Sequence, residues 1–276
     1  MEPYNALLTT HWLTDHSEIS VVLDNEAIYE ICKRQLDIPR PSYDSLNRLI
    51  AKAVSSMTAS LRFQGELNMD LQEFQTNLVP FPRLHFMLTS MAPVTTEKKK
   101  ETMPNDTQRI TELCFSPQSF FTKLADFDVE EDKYMAISVN YRGAVTAKEA
   151  NASVQWLRDH KKIQFVDWVP TGFKVGLNRQ PAATVELDEC AQFEKNVVMM
   201  GNNTAISRVF SERLCRKFDV MYSQRSFVHW YVGEGMEEGE FVEAREDLGF
   251  LEKDYLDVLS EDATDDAHDE DEDESS

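Results

Sequence analysis

Apolar residues three and four apart between Ser42 and Gly65 constrain this chain more than any other stretch. Leu46, Leu49, Ile50, Ala53, Val54, Met57 and Leu61 put one apolar stripe on a single long helix. Ser42 is the expected N-cap, with Asp44 in the first turn, where the helix dipole favours an anion. Arg62 and Gly65 mark the end. At ~1.5 Å per residue such a helix is a rod of about 30 Å, long enough to meet one module at its head and another at its foot. Asn68 is then the expected N-cap of a second helix ending before Pro80, with Asp70 and Glu73 on one face.

Both ends of the rod carry candidate residues, each with two readings. Tyr43 and Asn47 are four apart and share a face; they are either ordinary first-turn residues or a pair that stacks on and hydrogen-bonds a planar base. Asp70 and Glu73 are either solvated acids or a base and metal ligand. Upstream, the apolar run Ile19 to Leu23 reads as a strand feeding a helix across Asp24 and Asn25, and Asn25 is either a cap or part of a ligand-binding edge.

The remaining elements follow in order. Ala6 to Leu13 is weakly helical. Strands are expected at Arg83–Met91, Lys133–Tyr141, Ile163–Val169, Phe173–Leu177 and Asn196–Met200, with helices at Thr107–Phe115 and Lys148–His160. Pro93 to Pro104 is a polar loop containing Lys98, Lys99 and Lys100. Thr204–Phe218 and Glu240–Val258 form an antiparallel helical hairpin joined by FVHWYVGEGMEEG. The fold class is α/β (α+β): a mixed sheet flanked by helices, with a long central helix, a C-terminal helical hairpin and a disordered acidic tail. Four parts are expected: 1–63 with the central helix, 64–200 with the mixed sheet, 201–259 as the hairpin, and 260–276 as the tail.

Charge narrows the partners. Of the net −21, −11 falls in the last twenty residues, which hold no Lys or Arg, leaving −10 for the other 256. Phosphate backbones need a basic surface, so nucleic acid is disfavoured and basic proteins are favoured. Cys32, Cys114, Cys190 and Cys215 are widely spaced, form no metal-ligand cluster and read as buried free thiols. No apolar run is long enough for a membrane span, and no signal segment follows Met1. The glycines around Glu234 sit among acids that would repel phosphate, and no Gly-Lys-Ser/Thr follows them.

Six segments carry a resemblance. DNEAIY (Asp24 to Tyr29), SLRF (Ser60 to Phe63), EFQTNLVPFPRLHFML (Glu73 to Leu88), IQFVDWVPTGFKVG (Ile163 to Gly176), FVHWYVGEGMEEGEF (Phe227 to Phe241) and EAREDL (Glu243 to Leu248) resemble α-tubulin, in order, from Glu2 to about Leu259. The portion matched is C-terminal; the family's phosphate-binding loops, which are N-terminal, have no counterpart in this sequence.

The resemblance implies a structural constituent of microtubules that forms heterodimers with β-tubulin, binds GTP with Mg2+, and stacks with other dimers in protofilaments of the cytoplasmic cytoskeleton. Asn25, Tyr43 and Asn47 match family residues that contact guanine and ribose. Glu73 matches the glutamate that reaches the nucleotide of the next subunit and positions or activates water, with Asp70 beside it; ligands for Mg2+ are not evident. The C-terminal helices and tail match the surface used by motors and microtubule-associated proteins. Two alternatives stand beside this: a non-polymerising module that binds such proteins, or a GTP hydrolase only when completed by an N-terminal part. Without sheet neighbours for the Ile19–Leu23 strand, poor solubility is the expectation. The sequence departs from the family in Pro93–Pro104, in a shorter Asp126–Lys133, in Ala183–Cys190 without Pro-Gly-Gly, and in ending on Ser275-Ser276 rather than tyrosine.

Overall fold

The computed structural model of the chain describes residues 1–67, 70–124, 126–170, 172–185 and 188–273, with side chains as far as Leu259. Helix α1 (Glu2–His16) carries Pro3 in its first turn, where a missing N–H costs nothing, and leads to β1 (Ser20–Val21). Helix α2 (Asn25–Arg34) starts on Asp24, whose carboxylate accepts from the Glu26 N–H at 3.0 Å. The Ser42 hydroxyl likewise accepts from the Ser45 N–H, at 3.4 Å, to start α3 (Tyr43–Met57).

The expected long rod is broken. Helix α3 stops at Met57, and a separate turn, α4 (Ala59–Arg62), follows Thr58, so the straight run is 15 residues, about 22 Å. Arg62 favours the break by satisfying the Ser55 carbonyl, which would otherwise carry the ladder on, whereas Val54 O still accepts the ladder bond from the Thr58 N–H at 3.0 Å. The Thr58 hydroxyl donates to Val54 O at 2.8 Å, and Arg62 Nη2 donates to the Ser55 carbonyl and, at 2.9 Å, to its hydroxyl. Val54 and Leu61, expected on the apolar stripe, are exposed, whereas Leu46, Leu49, Ala53 and Met57 are buried.

Helix α5 (Leu71–Leu78) begins at Asp70; Asn68 lies outside the described residues. After it come β2 (Phe86–Ala92), a 3-10 turn over Glu97–Thr102, α6 (Thr107–Cys114), a 3-10 turn over Pro117–Ser119, β3 (Tyr134–Gly143), α7 (Ala147–Asp159), β4 (Phe173–Asn178) and β5 (Lys195–Asn203). The strand expected at Ile163–Val169 does not form. β4 pairs with β3 from Ile137 to Arg142, which leaves this segment a single bridge, Phe165 to Tyr134.

The helix expected over Thr204–Phe218 is three pieces. They are α8 (Ile206–Arg208), a π-helical turn over Val209–Cys215, and α9 (Arg216–Ser223). Helices α10 (Val228–Gly233) and α11 (Gly239–Asp273) complete the chain. Helix α11 runs on through residues expected to form a disordered tail, since extending an existing helix needs no new nucleus, while residues 274–276 lie outside the described part.

The strands form one mixed sheet in the order β1-β2-β5-β3-β4. β1 and β2 run parallel (Ser20 opposite Phe86), as do β3 and β4 (Ile137 opposite Phe173), while β5 is antiparallel to both β2 and β3. Successive side chains of a strand point to opposite faces, and β2 uses both. Met87 and Met91 pack with Ile28, Leu49, Phe74 and Leu78 of α2, α3 and α5. Phe86 and Leu88 pack with Tyr4, Phe218, Phe241 and Leu248 of α1, α9 and α11. At the other end of the sheet Ile137, Val139 and Val197 pack with Ile110 and Leu157 of α6 and α7. Both faces being covered, β2 and β3 are buried along their whole length.

Candidate functional site

The four candidate residues divide between two places. Asn25 is the first residue of α2, and Tyr43 and Asn47 lie in the first two turns of α3; Ile28, Ile31, Leu46 and Leu49 hold these helices in one cluster. All three residues face solvent, Tyr43 with 75% of its surface free. Among the described residues the Asn25 and Asn47 amides carry no side-chain hydrogen bond, and Tyr43 has no ring partner. Groups in that state can take a planar ligand with amide donors and acceptors at its edge. Asn25 also lines a cavity of about 580 Å3 with Val21, Asp24, Phe86, Phe210 and Arg213; Tyr43 and Asn47 lie outside that cavity.

Glu73 stands on α5, in the first turn, with a local job. The Asp70 carboxylate accepts from the Glu73 N–H at 2.7 Å, and Glu73 Oε2 accepts from the Asp70 N–H at 3.3 Å, a reciprocal capping box. The second Glu73 carboxylate oxygen has no bond among the described residues. Leu71, next to it, is 63% exposed, and α5 leads to Phe81, whose exposed ring meets the exposed Trp168 edge to face at 5.7 Å. An acid that is half-buried but not enclosed, with one carboxylate oxygen unbonded among the described residues, can meet another molecule. Gln72, Gln75 and Thr76 of the same helix line an open cleft of about 830 Å3 with Asp15, His16 and Glu18.

Charged residues absent from the sequence reading fix the Asn25 corner. Arg213, on the π-helical turn, donates through Nη1 to the Asp24 carboxylate and to Lys123 O at 3.1 Å, and through Nη2 to Glu26 at 2.8 Å. Lys123 Nζ meets Glu26 and, at 3.0 Å, Glu30. The Lys123 hydrogen bond holds the Glu26 carboxyl below its ordinary value, against the opposing effect of burial. No spacing in the sequence announces this network, because Arg213 and Asp24 are 189 residues apart.

Phosphate and metal contacts are a different matter. Among the described residues no group of three His, Cys, Asp or Glu is placed to hold a metal ion.

A family model of the tubulin C-terminal domain matches residues 82–215. The chain is also 56% identical over 261 residues to the nucleomorph tubulin alpha chain of Guillardia theta, an alignment covering 95% of this chain and 57% of that protein. The chain thus spans a little over half the length of that relative.

Proposed function

The chain belongs to the tubulin family, and on that premise we propose that it serves as an α-tubulin-type constituent of microtubules, paired with β-tubulin and stacked with other dimers in protofilaments. Asn25, Tyr43 and Asn47 bind the base and ribose of GTP. Glu73 acts across the subunit boundary as the base that positions or activates water at the neighbour's nucleotide. The Mg2+ of the family is assigned no ligand in this chain. The compartment of action is the cytoplasmic cytoskeleton. Motors and microtubule-associated proteins dock on α11, where Glu243, Glu246 and Lys253 face solvent.

One observation supports the reading: Glu73 uses only Oε2 in its capping box and leaves its other carboxylate oxygen without a partner among the described residues, open to a stacked neighbour. Catalysis in trans follows naturally, since hydrolysis then waits for assembly. The test is phosphate release from microtubules assembled with this chain as the α partner. Glu73→Ala should slow it by about 10²–10⁴, the range for loss of a general base, while leaving assembly intact. Hydrolysis at the unaltered rate would contradict the assignment.

A further inference from the structure

Asn25 is exposed at the very start of α2, where a helix has the fewest bonds to hold it. A residue that must be ordered before it can meet a ligand costs affinity, so a useful Asn25 needs to be fixed in advance. Its two neighbours supply the fixing. Arg213 Nη1 donates to the carboxylate of Asp24, the residue before it, and Nη2 donates to Glu26, the residue after it, at 2.8 Å. One guanidinium thus straddles Asn25 and leaves its amide open.

The clamp is anchored on both sides. Arg213 Nη1 also donates to Lys123 O at 3.1 Å, and the Asp24 N–H donates to Phe121 O at 2.8 Å, so the segment 121–123 backs the start of α2. Asp24 Oδ1 accepts from the Glu26 N–H at 3.0 Å, which leaves Oδ2 for Arg213, in a pair that is mostly buried. Arg213 itself stands in the π-helical turn Val209–Cys215, whose Phe210 and Cys215 are buried in one cluster with Phe86 and Leu248. Each residue of an α-helix turns about 100°. The wider π turn therefore sets the direction in which Arg213 leaves the helix, and such turns are frequent at functional sites.

We infer that Arg213 is a positioning residue for a nucleoside: it touches neither base nor ribose, and it holds Asn25 in the orientation in which the Asn25 amide meets them. The inference rests on the base-binding role proposed above for Asn25, Tyr43 and Asn47. Two carboxylates met through two nitrogens of one plane require a guanidinium, whereas a lysine offers a single ammonium on a flexible stem. Charge alone does not call for arginine here, since Lys123 Nζ already meets Glu26.

The test titrates guanosine, which carries no phosphate, into the 15N-labelled full chain, with binding read from the Asn25 and Asn47 side-chain amide resonances. Arg213→Gln should weaken binding about tenfold, the order expected when one residue has to be ordered on binding, and Arg213→Lys should be no better. Arg83→Gln breaks a part-buried ion pair with Asp247 away from the site and should bind as the wild type does. If Arg213→Gln fails to fold, Glu26→Gln, at an exposed position, removes one prong of the clamp and should weaken binding several-fold. Unchanged affinity in Arg213→Gln or, in its place, Glu26→Gln, full rescue by Arg213→Lys, or an equal loss in Arg83→Gln would each overturn the inference while leaving the base site standing. A wild-type chain that does not bind guanosine, or that binds it equally well as Tyr43→Ala, overturns the base-site reading and the inference with it.

Discussion

Asp247 shows how much a single side chain can hold together. It accepts from His11 Nδ1 and Arg83 Nη2, both at 2.8 Å, and Arg83 Nε reaches Asp254 at 3.2 Å, so one carboxylate joins α1, α11 and the approach to β2. Burial pushes its pKa up, yet the hydrogen bonds from His11 and Arg83 outweigh that and leave it below the ordinary value. A depressed carboxyl contributes stability that is present above the unfolded pKa, about 3.9, and lost as pH falls through the folded one. Asp247→Asn should therefore cost about 1.5–3 kcal/mol in denaturant titrations at pH 7, with the difference from wild type closing below about pH 4. The thiols give a second expectation. Burial pushes Cys32 and Cys215 up to about 11 and Cys114 up to about 12, and raises Cys190 as well, so all four should resist alkylation at pH 8 until the chain is unfolded. The positions of Asn25, Tyr43 and Glu73 at helix starts were legible from local caps, whereas a role for them and for Asn47 came only from the family resemblance. The carboxylate partners of Arg83 and Arg213 were not, since they lie 164 to 189 residues away.

Helices were legible where their caps are local. The Thr146 hydroxyl accepts from the Glu149 N–H at 3.3 Å and Glu149 Oε2 accepts from the Thr146 N–H at 3.0 Å, closing a capping box on α7. Thr146→Ala should cost about 1 kcal/mol, read as a lower denaturant midpoint at unchanged slope. Interruptions were not legible. The apolar period runs through Thr58 without a mark, because the break between α3 and α4 depends on Arg62 reaching back to Ser55. The π-helical turn is similarly invisible, since a turn wider by one residue leaves the apolar positions Phe210, Leu214 and Phe218 at helical spacing. At Ile163–Val169 an apolar run suggested a strand, and the register of β3 with β4 left it only one bridge.

At the scale of the whole molecule, the sheet joins three apolar clusters, and the first and last helices meet on one of its faces. Tyr4 packs edge to face on Phe218 at 5.4 Å and on Phe241 at 5.2 Å. Phe241→Ala should cost about 3–5 kcal/mol and loosen the hairpin from α1, seen as a loss of near-UV circular dichroism. A mixed sheet was legible from alternating strands and helices, but its order was not: that β5 lies between β2 and β3 is a long-range fact. Leu71, Phe81, Trp168 and Trp230 are each exposed, apolar area of the kind a polymer contact would cover, in keeping with the proposal that this chain works inside a polymer. The most direct test is co-sedimentation with microtubules assembling from α/β-tubulin, using the full chain and a version ending at Leu259. Incorporation that saturates in proportion to polymer mass and survives loss of residues 260–276 is the expected result; a chain left in the supernatant, or one pelleted only when its acidic end is present, would contradict it.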